Sequence, residues 1–231
     1  MSASTVAYDL LEDLDAFVPA QRQPLVAVAS PRAGLRAMRI MDVVLASTLL
    51  VLLVPLFLLI ALAVVLSGPG GAIFRQERVG LRGEHFVMLK FRTMQADGHH
   101  LRDLFRHHDE GNGVLFKIRR DPRVTPVGRL LRRFSLDELP QLINIVRGEM
   151  SLVGPRPALP EEVAGYTSLV RGRLAVKPGL TGLWQVSGRS DLSWEDSVRL
   201  DLQYVAQASL GLNVRILLRT AVAVVTARGA Y

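Results

Sequence analysis

Residues 43–66 read VVLASTLLVLLVPLFLLIALAVVL, 24 positions without a charge. As continuous helix this stretch would be about 36 Å long, enough to cross a hydrocarbon core about 30 Å thick. Two features argue against a plain transmembrane anchor, which is the alternative reading. Pro55 falls at the middle, where it removes a backbone hydrogen bond and kinks a helix. The flanks also carry the same sign, with Arg32, Arg36 and Arg39 before the segment and Arg75, Arg78 and Arg82 after it. A spanning helix biases its positive charge to one side. A helix that enters, breaks near Pro55 and returns to the same face satisfies both observations, with Ser47 or Thr48 at hand for freed backbone groups. Asp42, at the mouth of the segment and close to Arg39, is expected to be an interfacial pair or a helix-start acid rather than a catalytic group, because an ionised group near a bilayer is costly unless paired or at the headgroup level.

Outward from that segment the chain is basic. It has 231 residues, a formal charge of +7, 49% hydrophobic and 6% aromatic residues, and no cysteine. This length suits one domain with a sizeable core. The lack of cysteine excludes disulfides and thiolate metal sites, and suits a domain facing the cytoplasm. Between residues 75 and 133 there are 14 Lys/Arg against 7 Asp/Glu, which accounts for the whole excess. Such a concentration points to an anionic partner: nucleic acid, lipid headgroup or phosphorylated substrate. A nucleic-acid binder would interleave exposed aromatics with its cations, and few aromatics, Phe91 and Phe134 among them, stand beside the cations. A scaffold held by a polybasic surface and a metal-dependent phosphohydrolase are the other rivals. Residues 1–29 have no basic n-region followed by an apolar core, so they are read as a tail rather than a secretory signal, with one short helix over residues 5–17.

Further along, residues 72–74 and His85–Phe91 read as short strands, 96–109 as a polar helix, and 136–147 as a helix starting at Ser135. Three prolines make 153–160 extended or turning, and 178–182 reads as another turn. Residues 194–208 and 213–227 read as two further helices, the last apolar enough to lie on a membrane. The expected fold class is α+β and mostly helical: a re-entrant membrane helix, a compact catalytic domain and interfacial amphipathic helices. The boundaries are 1–35 for the tail, 36–67 for the re-entrant helix and 68–231 for the domain.

Ser135-Leu136-Asp137-Glu138 has the spacing of a capping box, with Ser135 as N-cap and Asp137 complementing the helix dipole. The same geometry suits a carboxylate nucleophile, since a helix start stabilises negative charge and its free N–H groups hold phosphate. Arg132 and Arg133 just upstream would neutralise phosphoryl oxygens. Glu138 would complete a divalent-ion site or handle a proton. Arg156, between Pro155 and Pro157, has little backbone freedom and suits a phosphate clamp as well as it suits a stiff surface loop. Lys90-Phe91-Arg92 alternates as a half-buried strand does, which places both cations on one face, solvated or anion-binding. Arg189 is a weaker candidate. His99, His100, His107 and His108 fall on one helical face but lack an acid that would complete a metal set.

In order along the chain, these pieces resemble the monotopic phosphoglycosyl transferases, also called bacterial sugar transferases. The matching stretches are Met38-Arg39-Ile40-Met41-Asp42, Gln76-Glu77-Arg78-Val79-Gly80, Lys90-Phe91-Arg92-Thr93-Met94 and Asp121-Pro122-Arg123-Val124-Thr125. They continue through Ser135 to Gln141, Met150-Ser151-Leu152-Val153-Gly154-Pro155-Arg156-Pro157, and Pro178-Gly179-Leu180-Thr181-Gly182 running to Gly188-Arg189. The resemblance implies a re-entrant helix and an Asp-Glu dyad, Asp137 and Glu138, working with Mg²⁺. It implies that Asp137 attacks the sugar-linked phosphate of a UDP-sugar, releasing UMP, and that polyprenyl phosphate (undecaprenyl phosphate) then takes the phosphosugar. Lys90, Arg132, Arg156 and Arg189 become phosphate or nucleotide contacts. The implied location is the bacterial cytoplasmic (inner) membrane with the domain on its cytoplasmic face, in contact with membrane lipid and not nucleic acid; a homodimer is left open. Two departures stand out. Val54-Pro55 replaces the Ser-Pro of many members, and no helical bundle or regulatory domain is expected ahead of the module. The run Gly182-Leu183-Trp184-Gln185-Val186-Ser187-Gly188-Arg189 nevertheless looks like that of longer members, which favours a hexose donor.

Overall fold

The computed structural model describes residues 32–95, 118, 121–187 and 192–225. It is mostly helical, with two small sheets, an α+β arrangement as expected. The polar helix expected over 96–109 with its four histidines, the short helix over 5–17 and Arg189 lie outside the described residues.

The apolar segment forms two helices, α1 (Arg32–Leu52) and α2 (Val54–Leu66), bent by 64° at Leu53. No single helix among the described residues is long and apolar enough to cross a membrane, but the bent pair passes that test together. Pro55 lies in the first turn of α2, where its missing N–H has no intrahelical partner to lose. The break therefore falls just upstream of the proline. Leu53 N still donates to Leu49 O at 2.9 Å and Phe57 N to Leu53 O at 2.8 Å.

One side of the pair packs inward. Met38 and Ala46 of α1 join Met88, Leu142, Ile145 and Met150 in the main core, while Ile60 and Val64 of α2 pack with Phe91 and Leu131. The other side leaves Ile40, Val44, Val51, Leu52, Leu58, Leu59, Leu62 and Leu66 exposed. Asp42 does not form the expected ion pair with Arg39. It is buried, and accepts from Ser151 Oγ at 2.8 Å and Leu152 N at 3.0 Å. Arg39 instead donates to the carbonyls of Ile145 and Val146 at 2.6 and 2.9 Å. Both partners lie more than a hundred residues away, which is why local pairing by proximity failed.

After the Gly68–Gly71 turn comes an antiparallel hairpin of β1 (Ile73–Val79) and β2 (His85–Phe91), with Ile73 opposite Phe91 and Val79 opposite His85. The first strand is longer than the expected 72–74. α3 (Pro126–Arg133), not foreseen as a helix from its start, begins at Thr125, whose side chain accepts from Gly128 N at 2.9 Å. Gly128 is required by packing: a Cβ there would lie 2.1 Å from the Thr93 carbonyl oxygen. α4 (Gln141–Arg147) leads through Gly148, at φ 88°, to β3 (Ser151–Val153).

Two short helices follow, α5 (Pro160–Ala164) and α6 (Ser168–Arg171), then β4 (Gly179–Thr181), which pairs in parallel with β3. The stretch read as a turn at 178–182 thus holds a strand, and 153–160, read as extended or turning, begins with the last residue of another. Three-residue strands carry too little periodicity to be seen, and their pairing spans some 28 positions. Gly154 and Gly179 cross so closely that a Cβ on Gly179 would lie 2.1 Å from Gly154 N. α7 (Leu183–Ser187), α8 (Trp194–Gln207) and α9 (Leu210–Val225) close the fold, with Tyr204 of α8 and Ile216 of α9 in the main core.

Candidate active site

The helix expected over 136–147 is split, and the split makes the site. Pro140 has no N–H to offer Leu136, so residues 136–142 close by shorter bonds, Leu139 N to Leu136 O at 3.3 Å and Leu142 N to Leu139 O at 3.0 Å. The result is a 3₁₀ turn, Leu136–Glu138, ahead of α4. Ser135 is not an N-cap. It sits in the left-handed region at φ 54°, and its side chain caps no backbone N–H. The capping-box reading is therefore overturned: Ser135 turns the chain between α3 and the 3₁₀ turn, and Glu138 is committed elsewhere.

Leu136 and Leu139 anchor the turn by packing against the cluster of Ile60, Val64, Phe91 and Leu131. With those two side chains in the apolar layer, Asp137 and Glu138 are presented to the cations of neighbouring elements. Lys90, at the end of β2, donates to Glu138 Oε1 at 2.7 Å. Arg132, in the last turn of α3, donates from Nε to Thr93 Oγ1 at 3.0 Å. Thr93 is itself fixed, since its carbonyl accepts from Thr125 N at 3.0 Å.

Asp137 is buried. Burial pushes its pKa up to about 6 and the adjacent Glu138 carboxylate pushes the same way, while Lys90 and Arg132 pull it down. At neutral pH it is ionised in a dry turn beside two cations, the setting of an activated carboxylate rather than of a surface acid. Burial likewise lowers the pKa of Arg132, with Asp137 and Asp121 opposing.

Arg156 follows the Gly154–Gly179 crossing and lies 3.4 Å from both carboxylate oxygens of Glu162, which also accepts from Leu159 N at 3.1 Å. It borders a cleft lined by Gly80, Pro155, Tyr166, Arg173, Val176 and Pro178. Arg78 connects the two halves of the site. Its Nη1 donates to Pro157 O at 3.0 Å and its Nη2 to Gln76 Oε1 at 2.6 Å. Burial and the charge of Arg156 lower it to about 10, while Glu162 and Glu138 raise it.

The fold thus gathers Lys90, Arg132, Asp137 and Glu138, with Arg156 adjoining them through Arg78. Sequence reasoning assigned no role to Arg78, although the period-2 pattern Gln76–Arg78 in a strand put both side chains on one face. It also missed Arg173, which ion-pairs with Asp201 at 2.6 Å, donates to the Tyr166 hydroxyl at 2.7 Å and stacks over Trp194. No local spacing announces that network.

As for a metal, no group of three or more His, Asp or Glu residues suited to a cation occurs among the described residues. Adjacent Asp137 and Glu138 nonetheless fit magnesium, which takes one or two carboxylates and completes its shell with water and substrate phosphate. Two crowded carboxylates, one of them raised by its neighbour, are also a pair that a divalent cation would relieve.

Comparison with known proteins agrees with this geometry. The sequence pattern of bacterial sugar transferases matches residues 34–227. The exopolysaccharide production protein ExoY of Rhizobium meliloti (strain 1021) is 46% identical over 202 residues, 86% of this chain and 89% of that protein. The UDP-glucose:undecaprenyl-phosphate glucose-1-phosphate transferase of Caulobacter vibrioides is 43% identical over 201 residues, 84% of this chain and 71% of that protein. The undecaprenyl-phosphate galactose phosphotransferase of Salmonella typhimurium is 41% identical over 197 residues, 84% of this chain but 41% of that protein. With the match running from α1 through α9 and including the carboxylate turn, the chain belongs to the bacterial sugar transferase family.

Proposed function

We propose that this protein transfers a sugar-1-phosphate, from a UDP-hexose, to undecaprenyl phosphate with release of UMP, as the first membrane step of exopolysaccharide or related glycoconjugate synthesis. The observation that carries the reading is Asp137, an ionisable carboxyl buried in a turn beside Lys90 and Arg132, in a chain whose relatives are named for this transfer.

In the proposed chemistry a carboxylate oxygen of Asp137 forms a bond to the sugar-linked phosphorus of the donor. The bond from that phosphorus to the bridging oxygen breaks, and its electron pair leaves with UMP. A phosphate oxygen of the lipid then attacks the same phosphorus, displacing Asp137 and giving the lipid diphosphate sugar. Lys90 holds Glu138 in place and keeps Asp137 ionised; Arg132 faces the phosphoryl charge, with Arg156 and Arg189 as nucleotide or phosphate contacts. Asp137 and Glu138 would hold Mg²⁺, which when bound would supply positive charge against the phosphoryl oxygens.

The bent pair supports a membrane seat. Its outer face is apolar and exposed, its break lies near the middle of the uncharged stretch 43–66, and that stretch is basic at both ends. The reading is a re-entrant helix over 36–67 at the cytoplasmic membrane, with residues 68–231 as the domain on the cytoplasmic face. The test is UMP release in a bilayer mimic with Mg²⁺, undecaprenyl phosphate and a panel of UDP-sugars, alongside Asp137→Asn. UMP from one donor, lost in the variant, supports the reading and names the sugar. Equal release from both proteins removes Asp137 as the nucleophile.

A further inference from the structure

We infer that Arg92 is a positioning residue, which clamps the exit of the bent helix pair to the strand that carries Lys90 and so sets where the carboxylate turn stands relative to the lipid acceptor. The inference rests on the transferase reading for its functional half and on hydrogen bonds alone for its structural half.

α2 ends at Leu66, and the last carbonyls of a helix have no partner within it and carry the negative end of its dipole. Arg92 supplies partners. Its Nη2 donates to Val64 O at 2.9 Å and to Gly68 O at 2.8 Å, and its Nη1 donates to Pro69 O. Two nitrogens of one planar fork thus hold three carbonyls, a geometry that a lysine ammonium cannot reproduce. The turn is shaped to receive it: Gly70 has φ 108°, and a Cβ there would lie 3.2 Å from Arg92 Nη1. The Arg92 backbone N is tied as well, donating to Ala72 O at 2.8 Å.

What makes the clamp functional is its neighbours. Lys90 grips Glu138, Phe91 lies against Phe57 of α2 with ring centroids 5.5 Å apart, and Thr93 receives Arg132. Of four consecutive residues, the middle two therefore hold the bent pair, while Lys90 holds the carboxylate turn and Thr93 holds Arg132 of α3. With so few bonds between the two sets of contacts, loosening Arg92 lets the strand end and the carboxylate turn move together relative to the helix exit, leaving the contacts of Lys90 and Thr93 intact. Freeing Arg92 should disturb the meeting of site and lipid more than the binding of a soluble donor.

The experiment compares wild type, Arg92→Lys and Arg92→Ala in lipid nanodiscs. Hydrogen exchange is read by mass spectrometry, and KM is measured separately for the UDP-sugar and for undecaprenyl phosphate. Expected for Arg92→Ala are faster exchange confined to residues 64–71 and a KM for undecaprenyl phosphate raised about tenfold, with the donor KM within about twofold. Arg92→Lys, which keeps the charge but not the fork, should fall between. Unchanged exchange at 64–71 overturns the clamp; KM values that rise together, or full rescue by lysine, overturn the positioning role. Exchange needs no turnover, so it tests the clamp even if no donor is used and the transferase reading fails.

Discussion

Asp121 and Asp137 both expose only 8% of their surface, but Asp137 lies much the deeper among packed atoms, and their carboxyls move in opposite directions. Burial alone would raise both. At Asp121 it is outweighed by Arg123, whose backbone N, Nε and Nη2 donate at 3.0, 2.8 and 2.6 Å, so the pKa falls below its ordinary value. At Asp137 the deeper burial wins, with Glu138 adding repulsion, so the pKa rises to about 6 despite Lys90 and Arg132. The first carboxylate is consumed in holding the loop that leads into α3. The second is buried with its charge opposed by Glu138, which costs stability.

The hardest test of that contrast is Asp137→Asn, for which UMP release should drop about a thousandfold or more. Its stability should move the other way. Asp137 has a raised folded pKa, so its neutral form is favoured by folding, and that stability is full below about pH 4 and lost as pH rises through about 6. In metal-free buffer at pH 8, Asp137→Asn should therefore gain up to about 2 kcal/mol, read by thermal or urea unfolding. A loss of stability there would break the comparison.

Asp121→Ala is the converse. It leaves Arg123 without its buried acid and should cost about 3 kcal/mol of stability, while the molecules that stay folded keep their donor KM. Because the folded pKa of Asp121 is lowered, its contribution is present above about pH 4 and lost as pH falls through the folded value. The two aspartates thus predict opposite slopes of stability against pH in their variants.

A finer test uses Lys90→Met. In metal-free buffer stability should fall as pH rises through about 6, where Asp137 ionises. Removing the Lys90 charge should move that limb about one unit to higher pH. A limb that stays put would show that Lys90 only braces Glu138. The smallest effect belongs to Ser135→Gly. A true N-cap would lose about 1 kcal/mol in Ser135→Ala and a few tenths in Ser135→Gly. At φ 54° with no capping bond, Ser135→Gly should instead be neutral or gain a few tenths.

Much of the site was legible because short-range chemistry announces itself. The order of motifs, the Asp137-Glu138 pair and the cations of the 75–133 stretch all stand in the chain itself. So do the apolar segment and its proline, and α8 and α9 fall within a few residues of the helices read from periodicity. The illegible parts depend on partners far away. Asp42 belongs to Ser151 rather than to nearby Arg39, and Glu138 to Lys90 rather than to Ser135. The parallel pairing of β3 with β4 and the Arg173–Asp201 network leave no local pattern at all.

By itself, then, the sequence determined which groups exist: a breakable apolar segment, a basic central stretch, and two adjacent carboxylates followed by a proline that cannot continue their hydrogen bonding. Only the tertiary structure decided their states. Burial, a long-range effect of packing Leu136 and Leu139 against α2 and α3, raises Asp137, whereas Arg123 holds Asp121 down. A pKa, an ion pair and a helix clamp are properties of distances between side chains, and those distances are set only when the chain closes on itself.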